Sequence, residues 1–380
     1  MSAVQLPHPE LAAAYAAARE SPGATGACHL DSAAAGRMSR AVRAAIRDHL
    51  DLEARVGGYV AHEQVSERID GGRRAIAELC GGQPDGVAFT ESATAALRAM
   101  LLAMRLPAGS KVAVLPCEFG PNLRELRAFG LEPITVHPFT ETGQLDLVSA
   151  AEQLDQYPPA LLHLCYLGSH RGIVQPVREL ARMGRERGIP VLVDAAQGFG
   201  HLDCCVDADA IYGTSRKWLC GPRGVGFAML RDGFLGDGLP GGGAVLVESQ
   251  EAYIAGRVGL AVALEEHMPL GPQKVRERLH AIGQLARGFL AGRGGWRVVE
   301  PEAEPSALTT LRPPSGFRDE DVAALRKHLL GMSPAIVTTY AGPERGPLEA
   351  TAGVLRVSPH LDVTADALEQ LAGILDTWRP

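Results

Sequence analysis

Between Val87 and Leu230, short apolar runs alternate with segments of helical spacing. The runs are Val87–Phe89, Val112–Leu115, Pro133–Val136, Ala160–Cys165, Ile189–Val193, Ala210–Tyr212 and Val225–Leu230. Each has strand length and little polar alternation, the pattern of strands buried on both faces. Helices are predicted between them over Thr94–Met104, Pro121–Phe129, Leu147–Leu154 and Pro176–Arg187. Strands alternating with helices predict an α/β fold whose central sheet is mostly parallel and flanked by helices. Sheets of this kind hold ligands at the carboxyl ends of their strands.

The flanks read differently. An alanine-rich helix is expected over Leu11–Arg19. A second, N-capped by Ser39, runs to about Arg55, and a third spans about Ala61–Leu79 after a break at Val56–Val60. Beyond residue 250 a long amphipathic helix, Gln273–Leu290, precedes strand-like segments at Trp296–Val299, Ala307–Leu311, Ala335–Tyr340 and Val354–Val357. Helices are expected at Glu320–Leu330 and Ala365–Trp378. This predicts a smaller α+β domain at 251–380, a large domain at 56–250, and an N-terminal segment, 1–55, contributing to the small one. The chain is 46% hydrophobic and 21% charged, and its net charge of −7 argues against nucleic acid as a partner. No apolar run reaches membrane-spanning length, and no secretory signal is evident. The seven cysteines have no metal-ligand spacing and read as reduced thiols of a cytoplasmic protein, with no metal expected.

The candidate chemistry starts at Lys217, on the polar turn Thr214–Ser215–Arg216–Lys217 that follows the run ending at Tyr212. Alone it is as ordinary as any loop lysine. Asp194 changes that reading: it ends the apolar run Val191–Val193, 23 residues upstream. An acid at one strand end and a lysine beyond the next suit pyridoxal 5′-phosphate. The acid pairs with the pyridine nitrogen and the lysine forms the Schiff base.

Other segments gain meaning beside that pair. Ala93 and Thr94 open a helix after a strand, so their N–H groups make an anion cradle. Thr214 and Arg216 complete it. Phe119, after another strand end, either stacks on the ring or packs in the core. Ala196 leaves room on the opposite face, and Gln197 is placed for the ring's phenolic oxygen. Ser169 and His170 are candidates for cofactor or substrate contact, with an ordinary loop role as the alternative. Arg356 lies inside an apolar strand. It needs an anionic partner, either a substrate carboxylate or a core acid.

Taken together, these residues resemble the class V, fold-type I pyridoxal phosphate enzymes over about residues 28–375. The markers are Leu30–Asp31–Ser32–Ala33–Ala34, Phe89–Thr90 through Thr94–Ala95–Ala96, Val193–Asp194–Ala195–Ala196–Gln197, Thr214–Ser215–Arg216–Lys217 with Gly221–Gly226, and Leu355–Arg356–Val357–Ser358. The resemblance implies that Lys217 is catalytic and carries the cofactor, and that Arg356, with Ala33, binds the substrate. It also implies a homodimer with its site at the subunit interface and Gly241–Gly243 reaching the neighbour's cofactor.

The chain departs from the class in three places. Arg216 stands where desulfurases carry histidine. No cysteine follows Cys220, so the mobile thiol of a desulfurase is missing. The usual glycine–threonine–proline–asparagine turn is replaced near Ala255–Gly259, where Arg257 is a candidate substitute for the partner's phosphate contact. Within the class, the segments Val56–Glu63, Gly168–Gly172 and Arg356–His360 resemble the C–S lyases of ergothioneine biosynthesis, which act on hercynylcysteine sulfoxide. That implies a cysteine S-conjugate as substrate and β-elimination as reaction. An aminotransferase, an epimerase, a lyase for another conjugate and a non-catalytic cofactor-binding protein are the alternatives. The leaving group's trimethylammonium calls for an aromatic or acidic pocket, for which Tyr59, Tyr166, Trp218 and Glu63 are the candidates.

Overall fold

The computed structural model describes residues 6–19, 26–236 and 242–380. A two-residue strand, β1 (Cys28–His29), comes first. Seven strands then build the main sheet: β2 (Val87–Thr90), β3 (Lys111–Val114), β4 (Glu132–Thr135), β5 (Leu161–Cys165), β6 (Val191–Asp194), β7 (Ala210–Thr214) and β8 (Gly226–Leu230). Their order is β2-β8-β7-β6-β5-β3-β4. Only β8 runs against the rest, pairing antiparallel with both β2 and β7.

Both faces of this sheet are covered, as the unalternating apolar runs require. Val87, Phe89 and Ile211 enter one apolar cluster, while Ala88, Ala210 and Tyr212 enter the cluster on the opposite face. The helices start where the sequence supplies caps. Ser39 accepts from the N–H of Val42, Ser92 from Ala95, and Asp146 from Ser149.

The second unit is a four-stranded antiparallel sheet of β9 (Arg297–Val298), β10 (Thr309–Arg312), β12 (Thr339–Ala341) and β13 (Val354–Val357). A separate strand, β11 (Ile336–Val337), pairs parallel with β1. The run expected as one strand over Ala335–Tyr340 therefore divides at Thr338 between two sheets. Helices Pro272–Leu290 and Ala365–Thr377 cover the small sheet through Ile282, Leu290, Leu368 and Leu371.

Two differences from the sequence reading involve glycine. The break expected over Val56–Val60 is confined to Gly57, at φ +84°, and the next helix starts at Gly58. One left-handed residue suffices to turn the chain. Conversely, Ala255–Gly259 is no turn but part of a helix, Ile254–His267. Its glycines are packing residues: a Cβ at Gly256 would lie 2.3 Å from the Tyr253 ring, and one at Gly259 would lie 2.7 Å from Ile46. This helix packs against Arg40–Val56 and Gly58–Cys80, the helices on either side of the boundary drawn at residue 55.

The N-terminal segment also presses on the Lys217 turn. The Gly36 N–H donates to the Arg216 carbonyl at 2.8 Å, and a Cβ at Gly36 would meet the Lys217 carbonyl oxygen at 2.3 Å. Gly36→Ala should therefore cost about 1–3 kcal/mol of stability by overpacking, measurable by thermal denaturation. An unchanged melting temperature would show that this contact yields freely.

Candidate active site

The carboxyl ends of β2, β3, β5, β6 and β7 converge on a cavity of about 270 Å³. Lining it are Ala33, Ala93, Thr94, Phe119, Ser169, Asp194, Ala196, Gln197, Thr214, Arg216 and Lys217, so most of the residues chosen from sequence come together. Asn122, Arg223 and Arg345 also line it.

Lys217 sits on a turn fixed by its own backbone. The Cys220 N–H donates to the Lys217 carbonyl, and the Gly221 N–H to Ser215. The Ser215 hydroxyl donates to the Val225 carbonyl at 3.1 Å. Burial pushes the Lys217 ammonium down to about 7; Asp194 pulls it back up, while Arg216 and Arg356 push it further down. The amine is therefore available as a nucleophile and base near neutral pH.

Asp194 is held on both oxygens. The Ala196 N–H donates to Oδ1 at 2.8 Å and Asn122 Nδ2 to Oδ2 at 2.7 Å. Asn122 also donates to Glu118 Oε1 at 2.9 Å, and Glu118 Oε2 lies 2.9 Å from His163 Nδ1. His163 Nε2 meets the Tyr212 hydroxyl at 2.7 Å. Burial opposes the charged form of His163, yet the Glu118 carboxylate outweighs it and the imidazole's pKa is raised. The sequence reading missed this buried chain. Glu118 and Asn122, four residues apart around a helix start, were its only local signal.

The cavity also carries a cationic cluster. Arg216, Arg223 and Arg345 line it, and none has an ion-pair partner among the described residues. Burial, and then repulsion from Arg223 and Arg345, holds the Arg216 pKa below its usual value. The N–H groups of Ala93 and Thr94 lie in a first helical turn, where no intrahelical acceptor exists. Gly226 allows this helix start to approach, since a Cβ there would lie 2.4 Å from the Ser92 backbone. Arg345 comes from the turn Pro343–Arg345, which the sequence reading did not single out.

Four of the candidate residues lie outside this cavity. Arg356 does not line the cavity. It is fully buried behind Ser169, donating from Nη1 to the Ser169 carbonyl at 2.8 Å. Asp31, the core acid, stands 3.6 Å from Nη2, while Nε and Nη2 make no hydrogen bond. Tyr166 faces away: Cys165 and Leu167 line the cavity, and alternation along an extended strand sends the residue between them to the other side. Its hydroxyl donates to the Asp203 carbonyl at 3.0 Å. Tyr59 is 80% exposed in the first turn of its helix, outside the cavity of this chain. Arg257 is buried and bonded to Glu248 at 2.9 Å and the Ser249 carbonyl at 2.6 Å, which commits it within its own chain.

Gln197 lines the cavity with both ends of its amide engaged, by the Ala33 carbonyl and by Trp218 Nε1. Trp218 is buried and stacks on His201 at 3.9 Å. Glu63 is exposed. Gly241 lies outside the described residues.

Residues 28–371 match the Aminotransferase class-V family. The chain belongs to that family. It is 45% identical over 360 residues to a probable hercynylcysteine sulfoxide lyase of Mycobacterium tuberculosis (strain CDC 1551 / Oshkosh), a match covering 91% of this chain and 89% of that one. Among solved structures, the apo cysteine desulfurase of Thermococcus onnurineus NA1 superposes with a TM-score of 0.80 at 20% identity, covering 99% of this chain and 98% of its own. The cystine C–S lyase C-DES, solved with cysteine persulfide, gives 0.81 at 18% identity, covering 95% and 100%. The architecture is fold-type I, and the family's cofactor is pyridoxal 5′-phosphate. The cavity suits it, with a fixed carboxylate, arginines unpaired among the described residues, N–H groups of a helix start and a buried amine in its lining. Phe119 lines the cavity and joins none of the apolar clusters, which leaves its ring available to a planar ligand.

The Lys217 environment can be tested in the apoprotein. The rate at which a small acylating reagent modifies Lys217 should rise through a midpoint near pH 7. Asp194→Asn removes the charge that raises this pKa and should move the midpoint down, while Arg216→Met should move it up. A midpoint indifferent to both changes would mean that neither charge acts on the amine.

Proposed function

We propose that this protein is a pyridoxal phosphate-dependent carbon–sulfur lyase that cleaves hercynylcysteine sulfoxide by β-elimination. The observation that carries this reading is a cavity whose one amine, Lys217, is desolvated beside Asp194, in a chain with no cysteine after Cys220. The 45% identity to a probable lyase of that name supports the substrate.

When bound, the cofactor withdraws electrons from the substrate's α-carbon, so that loss of the α-proton becomes accessible. This chain's residues do the remaining work. Arg216, Arg223, Arg345 and the helix start at Ala93 hold the phosphate. Asp194 keeps a proton on the pyridine nitrogen, and Asn122 and the Ala196 N–H keep that carboxylate in place. Arg356, whose Nε makes no hydrogen bond and whose Nη2 stands 3.6 Å from Asp31, would orient the substrate carboxylate from behind Ser169. Lys217 Nζ takes the α-proton, and the electron pair left behind expels sulfur from the β-carbon. The cysteine sulfoxide and one water thus become a sulfenic acid, pyruvate and ammonia. No thiol nucleophile is needed, which accords with a chain that has no cysteine after Cys220. We place the active unit as a homodimer.

Lys217→Ala should lose the visible absorbance of bound cofactor and reduce pyruvate release by at least roughly a hundredfold. Arg356→Ala should raise KM by roughly ten- to hundredfold, in keeping with the loss of charge-assisted hydrogen bonds. Pyruvate should form without any added keto acid. A strict keto-acid requirement would instead identify an aminotransferase.

A further inference from the structure

We propose that the cleft between the large and small sheets is a second carboxylate-binding subsite, and that it takes the leaving-group end of the substrate. The proposal rests on the lyase reading above and extends it to the part of the substrate beyond sulfur.

The cleft encloses about 630 Å³ and is distinct from the cavity of Lys217. One loop divides the two: Ser169 lines the cavity, whereas His170 and Arg171 line the cleft. A molecule long enough to pass this loop would place its far end among the cleft residues.

Those residues are cationic to excess. Arg297 on β9 and Arg312 on β10 are direct register partners. Like charges facing each other across a sheet are destabilising, and neither arginine has an ion-pair partner among the described residues. Arg171 adds a third guanidinium. It is only 8% exposed, and its Nη2 makes no hydrogen bond. Glu349 lies 2.6 Å from His170 Nε2 and 2.7 Å from Arg171 Nε, so it pairs Arg171 and leaves Arg297 and Arg312 without an acid. Two unpaired guanidiniums, lining one cleft with a buried guanidinium whose Nη2 is unbonded, make an anion site, and planar guanidinium geometry favours a carboxylate. From the other wall, Glu141 supplies an acid without an ion-pair partner among the described residues. The cleft thereby accepts a zwitterion, such as an amino acid bearing a quaternary ammonium.

The test uses the holoenzyme and the double variant Arg297→Gln/Arg312→Gln, whose side chains are exposed. Calorimetry measures binding of N,N,N-trimethyl-2-thiohistidine and of its carboxamide, which differ only in the carboxylate. Wild-type protein should prefer the carboxylate form by roughly tenfold, and the variant should bind both alike. Pyruvate release from S-methylcysteine sulfoxide, whose leaving group has no carboxylate, should be the same in both proteins. Equal binding of the two probes by wild type, or a preference that survives in the variant, would overturn the proposal. A wild-type protein that prefers the carboxylate probe but releases no pyruvate from any cysteine sulfoxide would support the subsite and refute the lyase reading.

Discussion

The buried carboxylate of Asp194 is the group around which the rest of the site has to be arranged. A charge at the end of an interior strand is costly unless its oxygens are bonded. Here the Ala196 N–H covers one and Asn122 the other. Asn122 can serve only because Glu118 orients its amide, and Glu118 in turn is balanced by His163. Three neighbouring strand ends, those of β3, β5 and β6, are thereby tied through polar groups inside an otherwise apolar sheet. The chain continues to Tyr212 on β7, two residues before the turn that carries Lys217 begins. The acid and the amine are thus placed relative to one another by one connected set of bonds.

The electrostatics of the cavity follow from how few acids accompany its bases. Arg216, Arg223 and Arg345 line the cavity with no ion-pair partner among the described residues, and Lys217 is itself pushed towards neutrality. An interior that gathers cations in this way is unfavourable until an anion enters it, and a doubly charged phosphate is of the right kind. The same surplus makes Lys217 more useful: the neighbouring guanidiniums and its burial both favour the neutral amine, the form that can form an imine or accept a proton. The cationic cluster of the site therefore serves two purposes with one set of charges.

Much of this was legible in the sequence because strand ends are legible. Asp194, Lys217, Ala93 and Phe119 each follow an apolar run, and a parallel sheet brings such positions together whatever the rest of the fold does. The helices were readable from their caps. What the sequence did not reveal were contacts depending on a third element. Arg345 reaches the cavity from a turn of the small unit, and no local pattern marks it. Tyr166 and Leu167 are adjacent, and only the phase of the strand decides which of them faces the cavity. Gly256 and Gly259 let neighbouring groups approach their helix, a role that requires knowing the neighbour. Arg356 was correctly singled out as an arginine in need of an anion. Its position behind Ser169, with Asp31 at 3.6 Å, depends on the seam between two sheets.

That seam also joins the cavity to the cleft through one loop. The loop Ser169–Arg171 is built from both sides: Arg356 bonds the Ser169 carbonyl, and Glu349 bonds His170 and Arg171. Both partners belong to the small unit, and the loop itself follows β5 of the large sheet. A shift of the small sheet would therefore move the wall of the cavity and the wall of the cleft together. In an elimination that relies on one amine, the bond to be broken must be aligned before the proton is taken, since no second nucleophile can correct a misplaced sulfur. A loop clamped from the small unit would provide that alignment under the proposed reaction, since it separates the cavity from the cleft.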